Sequence, residues 1–406
     1  MSNLASVLPT GWKLLSVKDA FAIRNNLRKP ISQEEREKIR GEYPYYGPTK
    51  AQGYISSYEQ DGKFALIGED GDHFLKYQNI SMTQLISGKC TVNNHAHVVE
   101  GTNICIAEWF YYFFMHKELT SFLTRQGAGR FKLNKAALER IPVLIPPVPE
   151  QTKITQILST WDKAIATTER LLANSQQQKQ ALLRPLLSGQ KRFANYPEWV
   201  NTPIAKLLTE SRLPGSNGEV AKKITVKLYG NGVVAKDEKR IGSESTKYYT
   251  RKAGQFIYSK LDFLNGAFGI IPEHLDGYES TLDLPAFNFT EYVEPAWLVQ
   301  YISREEFYSA QLGLANGGRK ARRVNPADLL RIEIPLPSLP EQQKIAQVLS
   351  TADAEISNLQ AQLAKLKLEK KALMQQLLTG QRRVKLNAET ATSARAGESL
   401  AAMRLR

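Results

Sequence analysis

The chain has 406 residues, enough for two or three domains with separate cores, and 42% hydrophobic content excludes disorder along its whole length. Lys and Arg outnumber Asp and Glu by 54 to 40, and the resulting charge of +14 favours a polyanionic partner. Two cysteines exclude a disulfide framework and fit a reducing cytoplasm, the N-terminus lacks the pattern of a signal peptide, and the most apolar run, ICIAEWFYYFFM, is too short to span a bilayer and contains Glu108.

From the N-terminus, RKPISQEEREKIR is charge-balanced and reads as a solvated loop or short helix. KFALIGEDG and KCTVNNHAHVV follow as strands, with β-branched and aromatic residues bounded by Gly, Asn and Asp. AEWFYYFFMHKELTSFL reads as helix. Basic residues with nearby aromatics and glycines mark candidate DNA contacts here: Lys29, Tyr45, Tyr46, Lys50, Arg125, Arg130 and Lys132. A long helix then starts near Pro149, with Glu150 in its first turn and Gly189 as its stop. Pro185, in the last turn, should kink the helix or end it slightly early.

Beyond the helix a second mixed segment opens, with strands in ITVKLYGNGVV and GQFIYSKLDF and a helical patch in PAWLVQYISREEFYSAQL. Its candidate DNA contacts are Lys222, Lys223, Lys227, Tyr229, Arg251, Lys252, Arg319, Lys320, Arg322 and Arg323, with the cluster GGRKARR the densest. A second long helix starts near Pro340 and stops at Gly380.

The two long helices are copies. PEQTKITQILSTWDKAI… and PEQQKIAQVLSTADAEI… align at a constant offset of 191 without a gap from Pro149 to Arg192, and nearly half the positions are identical. The offset extends backwards, pairing Gly127 with Gly318, Asn134 with Asn325 and Leu138 with Leu329. In the second copy Ile345, Leu349, Ala352, Ile356, Leu359, Leu363, Leu366, Leu373 and Leu377 alternate by fours and threes, as a coiled-coil seam does, with Lys370 interrupting. The first copy keeps the register with Ile154, Leu158, Trp161, Ile165, Leu172, Leu182 and Leu186; Lys179 falls where Lys370 does, and Thr168 and Ser175 are polar seam positions. The predicted fold class is α+β: two unlike mixed domains separated by two long antiparallel coiled-coil helices in a pseudo-two-fold repeat. The boundaries are 1–148, 149–193, 194–339 and 340–384, and the Ala- and Ser-rich tail at 385–406 lacks turn signals and is a candidate for disorder. Each helix would be about 60 Å long, a rigid spacer.

Catalytic motifs are missing. The Gly-Lys pairs at Gly62 and Gly88 are followed by Phe and Cys, so neither is a phosphate loop, and GAGRFK lacks the third glycine of a dinucleotide site. Cys90, His95, His97 and Cys105 could ligate zinc, but match no compact zinc spacing; the two histidines should point the same way on a strand. Glu69, Asp70 and Asp72 read more simply as a Gly-rich turn than as a nuclease cluster.

With its repeated PEQ-K-I helix opening and divergent domains ahead of each copy, the chain resembles the specificity subunits of type I restriction-modification systems. That resemblance implies a non-catalytic subunit in a cytoplasmic phage-defence complex. Each domain would read one half of a split, asymmetric duplex DNA target. The helices at 150–187 and 341–378 would set the gap and dock two methyltransferase subunits, and motor-nuclease subunits would join them. S-adenosylmethionine, ATP and Mg would belong to those partners, with no cofactor in this chain. In some members the chain's end meets its beginning. The alternatives are a recognition subunit of another multi-subunit restriction enzyme, an enzyme with its own nuclease or methyltransferase centre, and a coiled-coil scaffold without sequence-specific DNA binding.

Overall fold

The structure is a computed structural model, and it describes residues 8–126, 130–237, 242–314 and 322–386. The tail beyond 386, together with Arg319 and Lys320, lies outside the described residues. The two long helices run Val148–Ser188 and Leu339–Leu378. The first does not stop short at Pro185: a proline three residues from the end removes a single intrahelical bond, and its carbonyl accepts from the Lys191 amide (3.0 Å). The chain divides into two compact units. One holds the residues up to Glu169 together with those from Ala361 onward; the other runs from Arg170 to Gln360.

In the first unit a six-stranded sheet is built in the order Ala22–Ile23, Ala96–Glu100, Gln60–Gly68, Thr83–Val92, Arg40–Tyr46, Ala51–Ile55. KCTVNNHAHVV is thus two strands turning at Asn93–His95, not one. One face of the sheet is covered by the aromatic helix Ala107–Phe114, whose Trp109, Phe110 and Phe114 are completely buried. The second unit has smaller sheets: a four-stranded one (Leu208–Ser211, Ala286–Phe289, Phe256–Tyr258, Phe268–Ile270), a three-stranded one (Pro214–Asn217, Lys247–Thr250, Glu279–Ser280), and the hairpin Ile224–Val226 with Val233–Ala235. Its counterpart of the aromatic helix is Pro295–Ile302. Unlike sheets share one frame. In each domain the opening strand pairs antiparallel with the strand leading into the long helix: Lys13–Ser16 with Pro142–Ile145, and Val200–Pro203 with Glu333–Leu336.

The frame is tied at the helix openings. Glu150, 2% exposed, accepts from the indole of Trp12 (3.1 Å) and in fork geometry from Arg383, Nε at 2.7 Å and Nη2 at 2.8 Å. In the other unit Glu341, fully buried, accepts from the indole of Trp199 (3.0 Å) and from Arg192, Nε at 3.3 Å and Nη2 at 3.1 Å. Each glutamate opens one long helix, and each arginine lies just past the end of the other. The neighbouring glutamines repeat the device. Gln151 accepts from the Ile106 amide and donates to the carbonyls of Ile104 and Pro146; Gln342 accepts from the Glu294 amide and donates to Tyr292 and Pro337. The residues just past the second long helix therefore meet the start of the chain: Arg383 donates to the Thr10 carbonyl (3.2 Å). Gly380 sits at φ +74°, where a Cβ would lie 2.5 Å from Pro9, so only glycine fits this turn.

Within each unit the helix segments pack antiparallel along the expected seam. Ile154, Leu158, Ile345 and Leu349 are buried; Trp161, Ile165, Leu172, Leu182, Ile356, Leu359, Leu363, Leu366 and Leu373 are half-buried. Between Thr351 and Leu373 only the seam positions are shielded. The seam lysines are not interruptions. Lys370 pairs with Asp162 (2.5 Å) and Lys179 with Asp353 (2.5 Å), at the same offset. Asp162 also accepts from the Tyr112 hydroxyl (2.7 Å), and burial beside that carboxylate pushes the Tyr112 phenol pKa up.

Two outcomes follow. Glu150→Ala should cost about 2 kcal/mol by thermal unfolding, and a double-mutant cycle with Arg383→Ala should give a coupling of at least about 1 kcal/mol. Asp162→Ala, which strips the partner from Lys370 at 12% exposure and an acceptor from the Tyr112 hydroxyl, should cost more than Asp353→Ala, whose more exposed pair should be worth under about 1 kcal/mol in the same assay.

Candidate nucleic-acid interface

In each domain three segments distant in sequence converge on one edge. In the first, the Glu69 carbonyl accepts from the Leu133 amide (2.8 Å) and the Glu69 amide donates to His95 (2.8 Å). This joins the Glu69–Asp72 turn, the Asn93–His95 hairpin tip and the Thr124–Lys132 ribbon that carries Arg125 and Arg130. In the second, the Lys260 carbonyl accepts from the Val324 amide (3.0 Å), the repeat equivalent of Leu133. The amides of Tyr229 and Gly230 donate to the carbonyls of Asn265 and Gly266 (both 2.9 Å). The turn at 259–266 thus gathers the Lys227–Gly232 hairpin tip and the Arg322–Arg323 segment.

The structure sorts the candidate contacts. Lys50, Arg125, Lys222, Lys227, Tyr229, Lys252, Arg322 and Arg323 are exposed. Arg125 stacks on the Phe131 ring (5.1 Å), and Lys29, also exposed, pairs with Glu59 (2.5 Å). Lys132 is half-buried, tied to Glu69 (3.2 Å) and Asp70 (3.8 Å); Tyr46 is half-buried against the sheet core. Only the backbone of Arg130 is described.

Three candidates are structural instead. Tyr45, 1% exposed, donates its hydroxyl proton to the Lys29 carbonyl (3.0 Å) and accepts from the Ile31 amide (2.9 Å). Lys223 is buried, its ammonium 5.3 Å from the centre of the Tyr248 ring. Arg251, 1% exposed, donates to Ser280 Oγ (2.7 Å) and to the carbonyls of Ser211 (2.9 Å) and Leu284 (3.1 Å), and burial pushes its pKa down to about 10. Clustering in sequence does not distinguish a guanidinium that satisfies carbonyls inside a fold from one that faces phosphate.

The zinc-like residues scatter. Cys90 and Cys105 lie in separate cores, and burial raises both thiol pKa values, that of Cys90 to about 11. His97 is buried and His95 exposed, because His95 belongs to the turn ahead of the strand. The His97 ring donates from Nε2 to the Leu133 carbonyl (2.7 Å) and accepts at Nδ1 from Asn25 (2.9 Å), while burial lowers its pKa and keeps it neutral. Burial alone would raise the Glu69 pKa, but Arg28 (2.6 Å) and Lys132 (3.2 Å) hold it below the ordinary value. Glu69 is the centre of an ion-pair network.

Sequence reasoning missed several groups on these edges. Leu261 is exposed on the 259–266 turn, and a polar cleft of about 350 Å³ in the first domain is lined by Ser32, Arg36, Gln52, Asn93, Asn94 and His95. Tyr229 was legible as an aromatic among basic residues, but not its backbone: it adopts φ +57°, left-handed, which costs a bulky residue about 1 kcal/mol or more. Among the described non-glycine residues only Asn195 shares that region, and asparagine tolerates it.

Known proteins resemble this chain in sequence and in fold. The model of the family described as type I restriction modification DNA specificity domain matches residues 9–174 and 299–368. A Haemophilus influenzae chain named as a type I restriction enzyme specificity subunit is 31% identical over 352 residues, 83% of this chain and 86% of its own. The present chain belongs to this family of specificity subunits. A type I restriction enzyme specificity subunit from Methanocaldococcus jannaschii is 23% identical over 93% of this chain and 94% of its own. The fold matches that of a type I restriction-modification S subunit from M. genitalium with a TM-score of 0.59 at 12% identity, covering 95% of this chain and 99% of that one. Specificity subunits are the DNA-recognition components of these systems. Among the described residues no helix is long and apolar enough to cross a membrane.

The sorting predicts opposite phenotypes for two basic residues. Arg251→Met should destabilise the chain by about 2 kcal/mol or more in thermal unfolding, since Ser280 Oγ and the Ser211 carbonyl lose the guanidinium as donor. Lys227→Ala should leave that midpoint unchanged and reduce the salt dependence of DNA binding by about one phosphate contact in a fluorescence titration.

Proposed function

We propose that the two domains each read one half of a split, asymmetric duplex DNA sequence, while the long helices set the unread gap and dock two methyltransferase subunits. The observation that carries this reading is the contrast between frame and payload. Glu150 and Glu341 are clamped by the same partners in the two units, whereas the sheets ahead of them differ in strand number and order. An identical frame offers two equivalent faces to two copies of one partner. Unlike payloads present different exposed groups, and so different half-sites. Two readers one turn of duplex apart would be separated by on the order of 34 Å, within the reach of helices about 60 Å long.

In this reading the chain supplies recognition and geometry, and the chemistry belongs to its partners. The methyltransferase subunits would use S-adenosylmethionine to methylate adenine, and motor-nuclease subunits would use ATP and Mg to cleave. The exposed Lys50, Arg125, Lys227, Arg322 and Arg323 would hold phosphate, leaving neighbouring polar and aromatic groups to face bases.

The test is to copurify the chain with its methyltransferase subunit and map methyl transfer on random duplex DNA. Methylation should fall on one two-part motif, and exchange of residues 1–148 for those of a relative should change one half and leave the other half and the gap intact. Methylation without a motif, or changes in both halves, would refute the reading.

A further inference from the structure

The tip of the second domain's hairpin is built at a cost that the fold does not recover. Tyr229, Gly230 and Gly232 all have positive φ, at 57°, 68° and 83°. Glycine meets that demand freely; tyrosine does not. A bulky residue held in a strained backbone conformation usually persists because burial compensates, yet Tyr229 is 72% exposed. Its backbone, by contrast, is fixed. The amides of Tyr229 and Gly230 are bonded to the Asn265–Gly266 turn, and a Cβ at Gly266 would lie 3.2 Å from the Tyr229 Cα. The Lys227 amide and the Asn231 side chain close the tip from the other side, onto the carbonyls of Gly232 (2.9 Å) and Leu228 (2.8 Å).

The surroundings name the partner's chemistry. Lys227 precedes the ring by two residues; the turn that anchors it also carries exposed Leu261, and its Lys260 carbonyl accepts from Val324, next to exposed Arg322 and Arg323, the latter 3.9 Å from Asp283. An aromatic ring and a leucine standing among cations is the composition that meets a nucleic acid on both its surfaces, phosphate and base.

We propose that Tyr229 is a base-contacting specificity residue of the second domain, its ring laid against the bases of the half-site while Lys227 and Arg322–Arg323 hold the flanking phosphates. This rests on the reading of the chain as a two-part DNA reader. A rigid backbone presents the ring without an ordering cost on binding, which is what a residue that discriminates among base steps requires.

The experiment uses the complete complex with its methyltransferase subunit and the target mapped for the wild type. Tyr229→Gly should leave the unfolding midpoint unchanged or raised, because it removes the strain. It should slow methylation of the target about tenfold or more, the loss of one aromatic–base contact. It should also admit substituted base pairs in the half assigned to residues 194–339, with the salt dependence unchanged. Tyr229→Phe, which keeps the ring, should stay within about twofold of wild type under the same contact. The proposal is overturned if Tyr229→Gly retains rate and selectivity, if it lowers the midpoint by several degrees, or if Tyr229→Phe loses as much as Tyr229→Gly. A wild-type complex that methylates without a two-part motif would instead sink the parent reading, and this one with it.

Discussion

Glu150 and Glu341 are buried carboxylates, and burying a carboxylate is costly unless donors meet its oxygens. Here the donors come from two places at once, a tryptophan at the start of the attached domain and an arginine beyond the end of the opposite helix, while the adjacent glutamine ties in the loop ahead of the domain's apolar helix. Helix, opposite helix and domain are therefore fixed to one another through two consecutive residues. Because the joint makes no demand on the sheets, these are free to diverge, and they have: six strands in one order on one side, three smaller sheets on the other.

The seam obeys the same logic. Leucine and isoleucine every three or four residues drive two helices together but do not choose among registers one heptad apart. Lys370 with Asp162, and Lys179 with Asp353, do choose, since a slip would leave half-buried charges unpaired. Ser175 adds a hydrogen bond to Glu355 (3.1 Å), and Thr168 turns its hydroxyl back to the Ala164 carbonyl. Polar seam positions are thus either paired across or satisfied within their own helix.

The long helices, their seam and their duplication were legible because all three are periodic, and periodicity survives in a single sequence. The seam lysines read as interruptions because their partners lie 174 and 208 residues away, beyond any local pattern. Tyr45, Lys223 and Arg251 were misjudged for a related reason. Their partners are largely backbone carbonyls, amides and a ring brought in from distant strands, and a carbonyl leaves no mark in the residue letters. The turns within KCTVNNHAHVV and ITVKLYGNGVV carried Asn and Gly signals that their β-rich surroundings outweighed.

The first unit joins the beginning of the chain to its far end, and that has a bearing on how the protein is made. Its core counts Met374, Leu377 and Leu378 among its members, beside Trp12, Ile154 and Leu158. A ribosome delivers those last residues only after the whole second unit, which is contiguous, has emerged. The second unit can therefore complete its fold during synthesis, while the first waits without Met374, Leu377 and Leu378 in its core and with Glu150 lacking its arginine. Contacts so widely separated in sequence form late and slowly. The interval before the loop closes is when this protein is most exposed to aggregation, and when a chaperone or an early-arriving partner would matter most.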